Sequence, residues 1–213
     1  MTVTLVDHMG SDLSVVNAAR VSFAKVHKEF KDEADTKLIR YLAKHNHWSP
    51  FGHASLQFHI RAPVFVARQL VKHQVGLTWN EVSRRYVDDE PEFYAPDVWR
   101  GVAENKKQGS SEEEIDINPR HDMVDDYQKV LSTTKWTYEE LLRKGVCPEQ
   151  ARMVLPQSMM TEWYWSGTLY AFARVCNLRC KDDAQKETQD VGWNIDKHAR
   201  ELFPASWPAL RNE

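Results

Sequence analysis

Residues 54–71 read Ala54-Ser55-Leu56-Gln57-Phe58-His59-Ile60-Arg61-Ala62-Pro63-Val64-Phe65-Val66-Ala67-Arg68-Gln69-Leu70-Val71. Leu56, Phe58 and Ile60 alternate with Ser55, Gln57 and His59, which predicts a strand with one buried face. Pro63 stands where a first helical residue belongs, since its missing N–H costs nothing there. Phe65, Val66, Leu70 and Val71 then follow at helical spacing, and Gly76 is expected to end the helix. A half-buried strand followed by an amphipathic helix fits the α+β class that few strands and many helices along the chain imply.

The flanking segments agree. Residues 3–6 alternate as a second strand. Gly10-Ser11-Asp12 makes a turn in which Asp12 can cap a helix carrying Leu13, Val16, Ala19 and Arg20. Residues 25–35 are charged and expected to be exposed, and 36–44 fit a helix. Residues 45–53 form a polar and aromatic loop broken by Pro50 and Gly52. The stretch from Gly76 to Tyr86 reads as a loop or extended segment. Residues 104–118 read as a solvated surface loop, and 122–144 as a long helix stopped by Gly145. Further helices are expected over 148–154, 159–176 and 183–202. No internal repeat is visible, and residues 1–213 read as one domain with few strands and many helices.

The net charge of −3 gives no global field that would draw the chain to nucleic acid. No apolar stretch approaches a membrane span. The three cysteines, Cys147, Cys176 and Cys180, form no CxxC array, so neither a disulfide framework nor a zinc knuckle is indicated. A reducing cytoplasm is the simplest setting, and the alternating, strand-like opening residues show no visible signal-peptide pattern. His45, His47, His53, His59 and His73 lack the spacing and partners of a metal site. No cysteine lies near a His or carboxylate in sequence, which gives a thiol nucleophile little support.

Chemistry concentrates in 68–86. Arg68, Gln69, Lys72 and His73 would share two adjacent helix faces, suited to an anion or simply solvated. Asn80-Glu81-Val82-Ser83-Arg84-Arg85-Tyr86 could cradle a phosphate and stack a ring, or be a turn with ordinary surface charge. Following the basic helix so closely favours the phosphate. Arg152 sits in the apolar run Met153-Val154-Leu155-Pro156 and needs an anion or a structural carboxylate. Arg174 and Arg179 close an aromatic segment, where they could equally complement a helix dipole. Cys176 and Cys180 read as small buried residues.

Taken together, these segments resemble the flavin-dependent thymidylate synthases. The resemblance runs through Val6-Asp7, Ala18-Ala19-Arg20-Val21-Ser22-Phe23, His47, Pro50-Phe51, His53 and 62–69. It continues through 80–86, Ala151-Arg152-Met153-Val154-Leu155-Pro156 and Asn177-Leu178-Arg179. It implies a small, mostly antiparallel sheet packed with several helices in one domain. It implies a homotetramer with active sites between subunits, and FAD, dUMP, methylene-tetrahydrofolate and NADPH as cofactor and substrates. The implied product is dTMP, made without an enzyme nucleophile. By position, Gln69, Ser83, Arg84, Arg85, Arg152 and Arg179 match dUMP contacts. Arg85 and Arg152 would hold the phosphate, with Arg152 reaching in from a neighbouring subunit, and Arg179 would grip the uracil. Glu81 and Arg179 match the catalytic positions. Ser49, Lys72, His73, Gln74, Glu81 and Arg174 fall on flavin positions, and His47 and Tyr86 on folate positions. No metal is implied.

The chain departs from the family pattern at named places. The usual Arg-His-Arg signature is Lys72-His73-Gln74, and the spacer to Ser83 is one residue longer. Thr168 and Tyr170 replace an Asn and an Arg that face the flavin. Arg174 replaces an Asn one turn later, and Asp183 replaces a His. Arg174 is therefore expected to restore the guanidinium missing at 170. The altered signature also leaves room for weak FAD retention. Two other readings stand beside dTMP formation: another 5-substituted product such as hydroxymethyl-dUMP, and a degenerate nucleotide-binding relative.

Overall fold

The computed structural model describes residues 1–104, 109–115 and 123–211. Strand β1 (Thr2–Met9) leads to α1 (Asp12–Arg20) and α2 (Asp32–Lys44). Then come β2 (Ser55–Pro63), α3 (Val64–Leu70) and β3 (Leu77–Glu81). Short strands β4 (Arg100–Val102) and β5 (Ser110–Glu114) pair with each other. Helices α4 (Met123–Arg143) and α5 (Pro148–Ala151) precede β6 (Met160–Thr168), α6 (Leu169–Arg179), α7 (Lys186–Leu202) and α8 (Ser206–Leu210). The main sheet has the order β1-β2-β6-β3, antiparallel throughout. The α+β expectation with a small antiparallel sheet holds.

Strand β2 behaves as its alternation predicts: Leu56, Phe58, Ile60 and Ala62 are buried, with polar residues between them. Phe58 and Trp165 both meet Phe172 of α6 edge-on, with ring centroids 5.2 Å apart in each pair. Val15 and Val16 of α1, Ile39 of α2, Ile195 of α7 and Trp207 of α8 join the same core. Burying a side chain such as Phe58 or Phe172 is worth roughly 1.5–3 kcal/mol relative to exposure, so this contact of sheet and helices dominates the fold. Asp12 is buried, but it does not cap its own helix. Ser11 holds that position, and the Asp12 carboxylate accepts the N–H groups of Ala205 and Ser206 at 2.8 Å, capping α8.

Several expectations are corrected. Residues 159–176 are not one helix: β6 occupies the first half and α6 starts at Leu169. Thr161, Trp163 and Trp165 face inward while Glu162 and Tyr164 do not, a period of two that the dense aromatics conceal. The 104–118 segment is not all loop, because β5 pairs with β4. Residues 105–108 and 116–122, including the expected start of α4, lie outside the described residues. The charged 25–35 stretch ends inside α2, where Asp35 is fully buried and accepts from Arg20, His27 and the Lys31 N–H. Pro63 closes β2 and caps α3 instead of opening it, and α3 ends at Leu70. Lys72 and His73 therefore lie beyond the helix and do not share faces with Arg68 and Gln69.

Gly76 and Gly167 set how β3 meets β6. Gly76 has φ +78°, a left-handed conformation that side chains rarely adopt, and its carbonyl accepts from Thr168 N at 3.1 Å. A Cβ on Gly167 would sit 2.5 Å from that same carbonyl oxygen. Gly167→Ala is therefore expected to force β3 off β6 and to destabilise the protein by roughly 1–3 kcal/mol, the usual cost of overpacking. Urea unfolding followed by tryptophan fluorescence checks this; wild-type stability would contradict it.

Candidate functional site

The turn after α3 brings Gln69 and His73 to the end of α6. His73 N donates to the Leu70 carbonyl at 3.0 Å, which folds the chain back on α3. Arg179, the last residue of α6, donates from Nε to His73 Nε2 at 3.0 Å and from Nη2 to the Gln69 carbonyl at 3.3 Å. Burial, then Arg179, then Arg174 push the His73 pKa down to about 4. The ring is therefore neutral near pH 7. Because Nε2 accepts from Arg179, the proton belongs on Nδ1. Burial also lowers the pKa of Arg179, but a guanidinium stays charged in proteins. The result is a neutral imidazole beside two cations, an electropositive setting for an anion or a polarised carbonyl. Gln69 and Arg179 open on a cleft of about 410 Å³ whose lining includes Arg100, Asp183 and Gln185.

A second cleft, of about 520 Å³, lies where β3 runs out. Arg68, Glu81, Arg84 and Arg152 line it. The Glu81 carboxylate accepts from Thr161 Oγ1 at 2.8 Å and from Trp79 Nε1 at 3.1 Å, which fixes it at the strand end. Ser83 Oγ accepts from Arg85 N at 3.3 Å. Arg85 pairs with the Glu149 carboxylate at 3.1 Å, and Arg152 Nε donates to the Glu149 carbonyl at 3.3 Å. The two guanidiniums expected to grip a phosphate thus meet at Glu149 within one chain. Arg85 also lies 5.3 Å from the Tyr86 ring centroid, and Arg84 donates to the Asp89 carbonyl.

The other expected residues lie apart from these contacts. Lys72, Gln74 and Arg174 are exposed, and their side chains make no hydrogen bond or ion pair among the described residues, Arg174 acting on His73 through its charge alone. His47 stands edge-on to Tyr41 at 6.0 Å, and Ser49 opens the 3-10 turn Ser49–His53. The Trp48 ring between them lies 6.4 Å from Tyr170 on the first turn of α6. Thr168 caps α6 by accepting from Ala171 N at 3.2 Å. No cysteine lines either cleft. Among the described residues, no group of three or more His, Cys, Asp or Glu could hold a metal, and no helix is long and apolar enough to cross a membrane.

The sequence reading missed Arg100, Gln185 and Glu187. Glu187 is buried and accepts from Arg100 at 2.6 Å and from Gln185 at 3.0 Å. Nothing local signals this, because Gln185 and Glu187 look like the solvated first turn of a charged helix.

The chain belongs to the thymidylate synthase complementing protein family, whose model matches residues 4–205. It is 38% identical over 207 residues to the flavin-dependent thymidylate synthase of Thermosipho africanus, covering 97% of this chain and 89% of that protein. It is 40% identical over 209 residues to the flavin-dependent thymidylate synthase of Thermotoga neapolitana, covering 98% and 89%. Among solved structures it is similar to a UMP/dUMP methylase, PolB from Streptomyces cacaoi, bound with 5-Br dUMP. That match has a TM-score of 0.86 and 30% identity, and covers 99% of this chain and 94% of the methylase.

The depressed His73 pKa gives a pH prediction. The unfolded chain takes up a proton near 6.5, whereas folded His73 resists until about 4. The stability associated with neutral His73 is therefore complete above 6.5 and is lost as pH falls towards 4. The unfolding free energy of His73→Gln, measured across this range, is expected to fall less steeply than that of the wild type. Identical slopes, or a His73 ring signal titrating near 6.5 by NMR, would contradict the assignment.

Proposed function

We propose that the protein methylates dUMP to dTMP with FAD as cofactor, methylene-tetrahydrofolate as carbon donor and NADPH as reductant. The observation that carries this reading is the junction of Gln69, His73 and Arg179, where a half-buried guanidinium faces a cleft beside a neutral imidazole. Family membership and the dUMP-analogue-bound methylase of the same fold support the same substrate.

Arg179 donates to a carbonyl of the uracil and favours the polarised or ionised form of the ring. Arg85 and Arg152 hold the phosphate, which competes with the Glu149 carboxylate for Arg85. Ser83 and Arg84 complete the nucleotide contacts with Gln69. Glu81, held by Thr161 and Trp79, presents a carboxylate between nucleotide and flavin. The donor set suits an anionic dinucleotide: Lys72 and Arg174 are exposed cations with unused side-chain donors, Arg174 close enough to His73 to act on its charge, and Gln74 and Ser49 would add neutral contacts. FAD, when bound, supplies the two-electron transfer that takes the carbon unit from methylene to methyl level. His47 and Tyr86 offer exposed rings for the folate. The absence of a cysteine from both clefts accords with a reaction that uses no thiol adduct.

The subunit reading belongs with this one. The candidate residues fall into two clefts of a single chain. Phe23 and Met153 are 75% and 77% exposed, apolar side chains that a subunit contact would cover. A cytoplasmic homotetramer that assembles each site from several chains accounts for both features.

Incubation with FAD, dUMP, methylene-tetrahydrofolate and NADPH, with nucleotides resolved by mass, tests the reaction. dTMP is the expected product. A hydroxymethyl nucleotide, or unchanged dUMP despite flavin reduction, would overturn it. Arg174 has its own test: Arg174→Ala is expected to weaken FAD binding about tenfold or more, the scale of one charge-assisted contact, while dUMP affinity is kept. FAD titration by flavin fluorescence reads this out, and unchanged affinity would remove Arg174 from the flavin set.

A further inference from the structure

Gln69 lines the smaller cleft, yet the hydrogens of its amide nitrogen are engaged inside the protein. Nε2 donates to Gln185 Oε1 at 2.5 Å and, more weakly, to the Phe65 carbonyl at 3.5 Å. The orientation of Gln185 is dictated in turn by Glu187. Gln185 Nε2 donates to Glu187 Oε2 at 3.0 Å. An ionised carboxylate accepts only, so Gln185 must turn its NH₂ towards Glu187 and its carbonyl towards Gln69. Burial raises the Glu187 pKa, but the Arg100 contact, its own backbone N–H and Gln185 outweigh it and hold the carboxyl below its usual value. Arg100 brings this anchor from β4, and Tyr94 OH adds a longer contact at 3.4 Å.

Gln69 is thereby left with Oε1, which has no hydrogen bond among the described residues. Arg179 lies against the same residue through the Gln69 carbonyl, and its Nη1 is unpartnered among the described residues. Both residues line the cleft, which thus has a guanidinium donor, Arg179 Nη1, and an amide acceptor, Gln69 Oε1, in its wall.

We propose that Glu187, acting through Gln185, is a positioning residue that holds Gln69 Oε1, not its Nε2, towards the cleft and so selects uracil over cytosine. The imide edge of uracil offers a ring carbonyl for Arg179 and a ring N–H for Gln69 Oε1. Cytosine offers a lone pair where uracil has the N–H, and that lone pair opposes Gln69 Oε1. The amide cannot turn to meet it while Glu187 holds Gln185. This inference rests on the uridylate reading above and adds the device that makes it selective.

The test measures dissociation constants of dUMP, dCMP and deoxyribose 5-phosphate for the FAD-loaded wild type, Gln185→Leu and Glu187→Gln. Glu187→Gln lets the chain of amides reverse, because the new amide can donate. Gln185→Leu removes the link and keeps the Arg100–Glu187 pair, so it decides the matter if Glu187→Gln does not fold. The wild type is expected to prefer dUMP. Both variants should lose about tenfold or more of that preference, the scale of one mismatched buried hydrogen bond, with deoxyribose 5-phosphate binding unchanged. A variant that binds dUMP with the wild-type preference overturns the relay and leaves the uridylate reading standing. Equal weakening of all three ligands makes the role merely structural and also overturns it. A wild type that binds no dUMP overturns both readings.

Discussion

The close pairing of β3 with β6 is the constraint on which the rest depends. Where β3 begins, the Gly76 carbonyl approaches Gly167 so closely that no side chain fits between them. That contact sets the register of β3 and so places the two groups of candidate residues that flank it. Upstream of Gly76 is the turn carrying His73; downstream, β3 ends at Glu81. Strand β6 then runs directly into α6, whose last residue returns to His73 as Arg179. One backbone approach thus places a basic turn, a carboxylate and a guanidinium relative to each other.

Electrostatics then differentiate these groups. His73 could have been another cation, but burial beside Arg179 and Arg174 keeps it neutral and makes it an acceptor. It accepts from Arg179 Nε and so orients the guanidinium. Across the sheet edge, Arg85 and Arg152 converge on Glu149, Arg85 on its carboxylate and Arg152 on its backbone carbonyl. The buried Glu187 works the other way: by staying ionised it fixes the direction of two neutral amides. Charge here acts mainly through the orientation it imposes on neutral groups.

Much of this was legible in the residues. The alternation of 55–60 gave β2, and the cluster of bases and amides after it pointed to a nucleotide. What was lost was lost for physical reasons. Trp163, Tyr164, Trp165 and Tyr170 crowd β6 and the start of α6 with rings on both faces, so a period of two looked helical. Helix α3 stops at Leu70 because the following turn is held by tertiary contacts, and 68–74 read alone promised another turn of helix. The Gln69–Gln185 contact joins residues far apart in sequence, and a glutamine at a helix start is ordinarily solvated. Asp35 was hidden in a charged stretch because its burial is compensated by Arg20 and His27, partners that spacing does not reveal.

The central claim is that the turn at 69–76, the segment 81–86 and the end of α6 form one nucleotide site. Backbone hydrogen exchange of the FAD-loaded protein, with and without dUMP, tests it most directly. The account predicts new protection concentrated in residues 69–86, 149–152 and 174–187, with the face carrying Ser11, Phe30 and Leu202 unchanged. Protection on that face instead, or none at saturating dUMP, would contradict it.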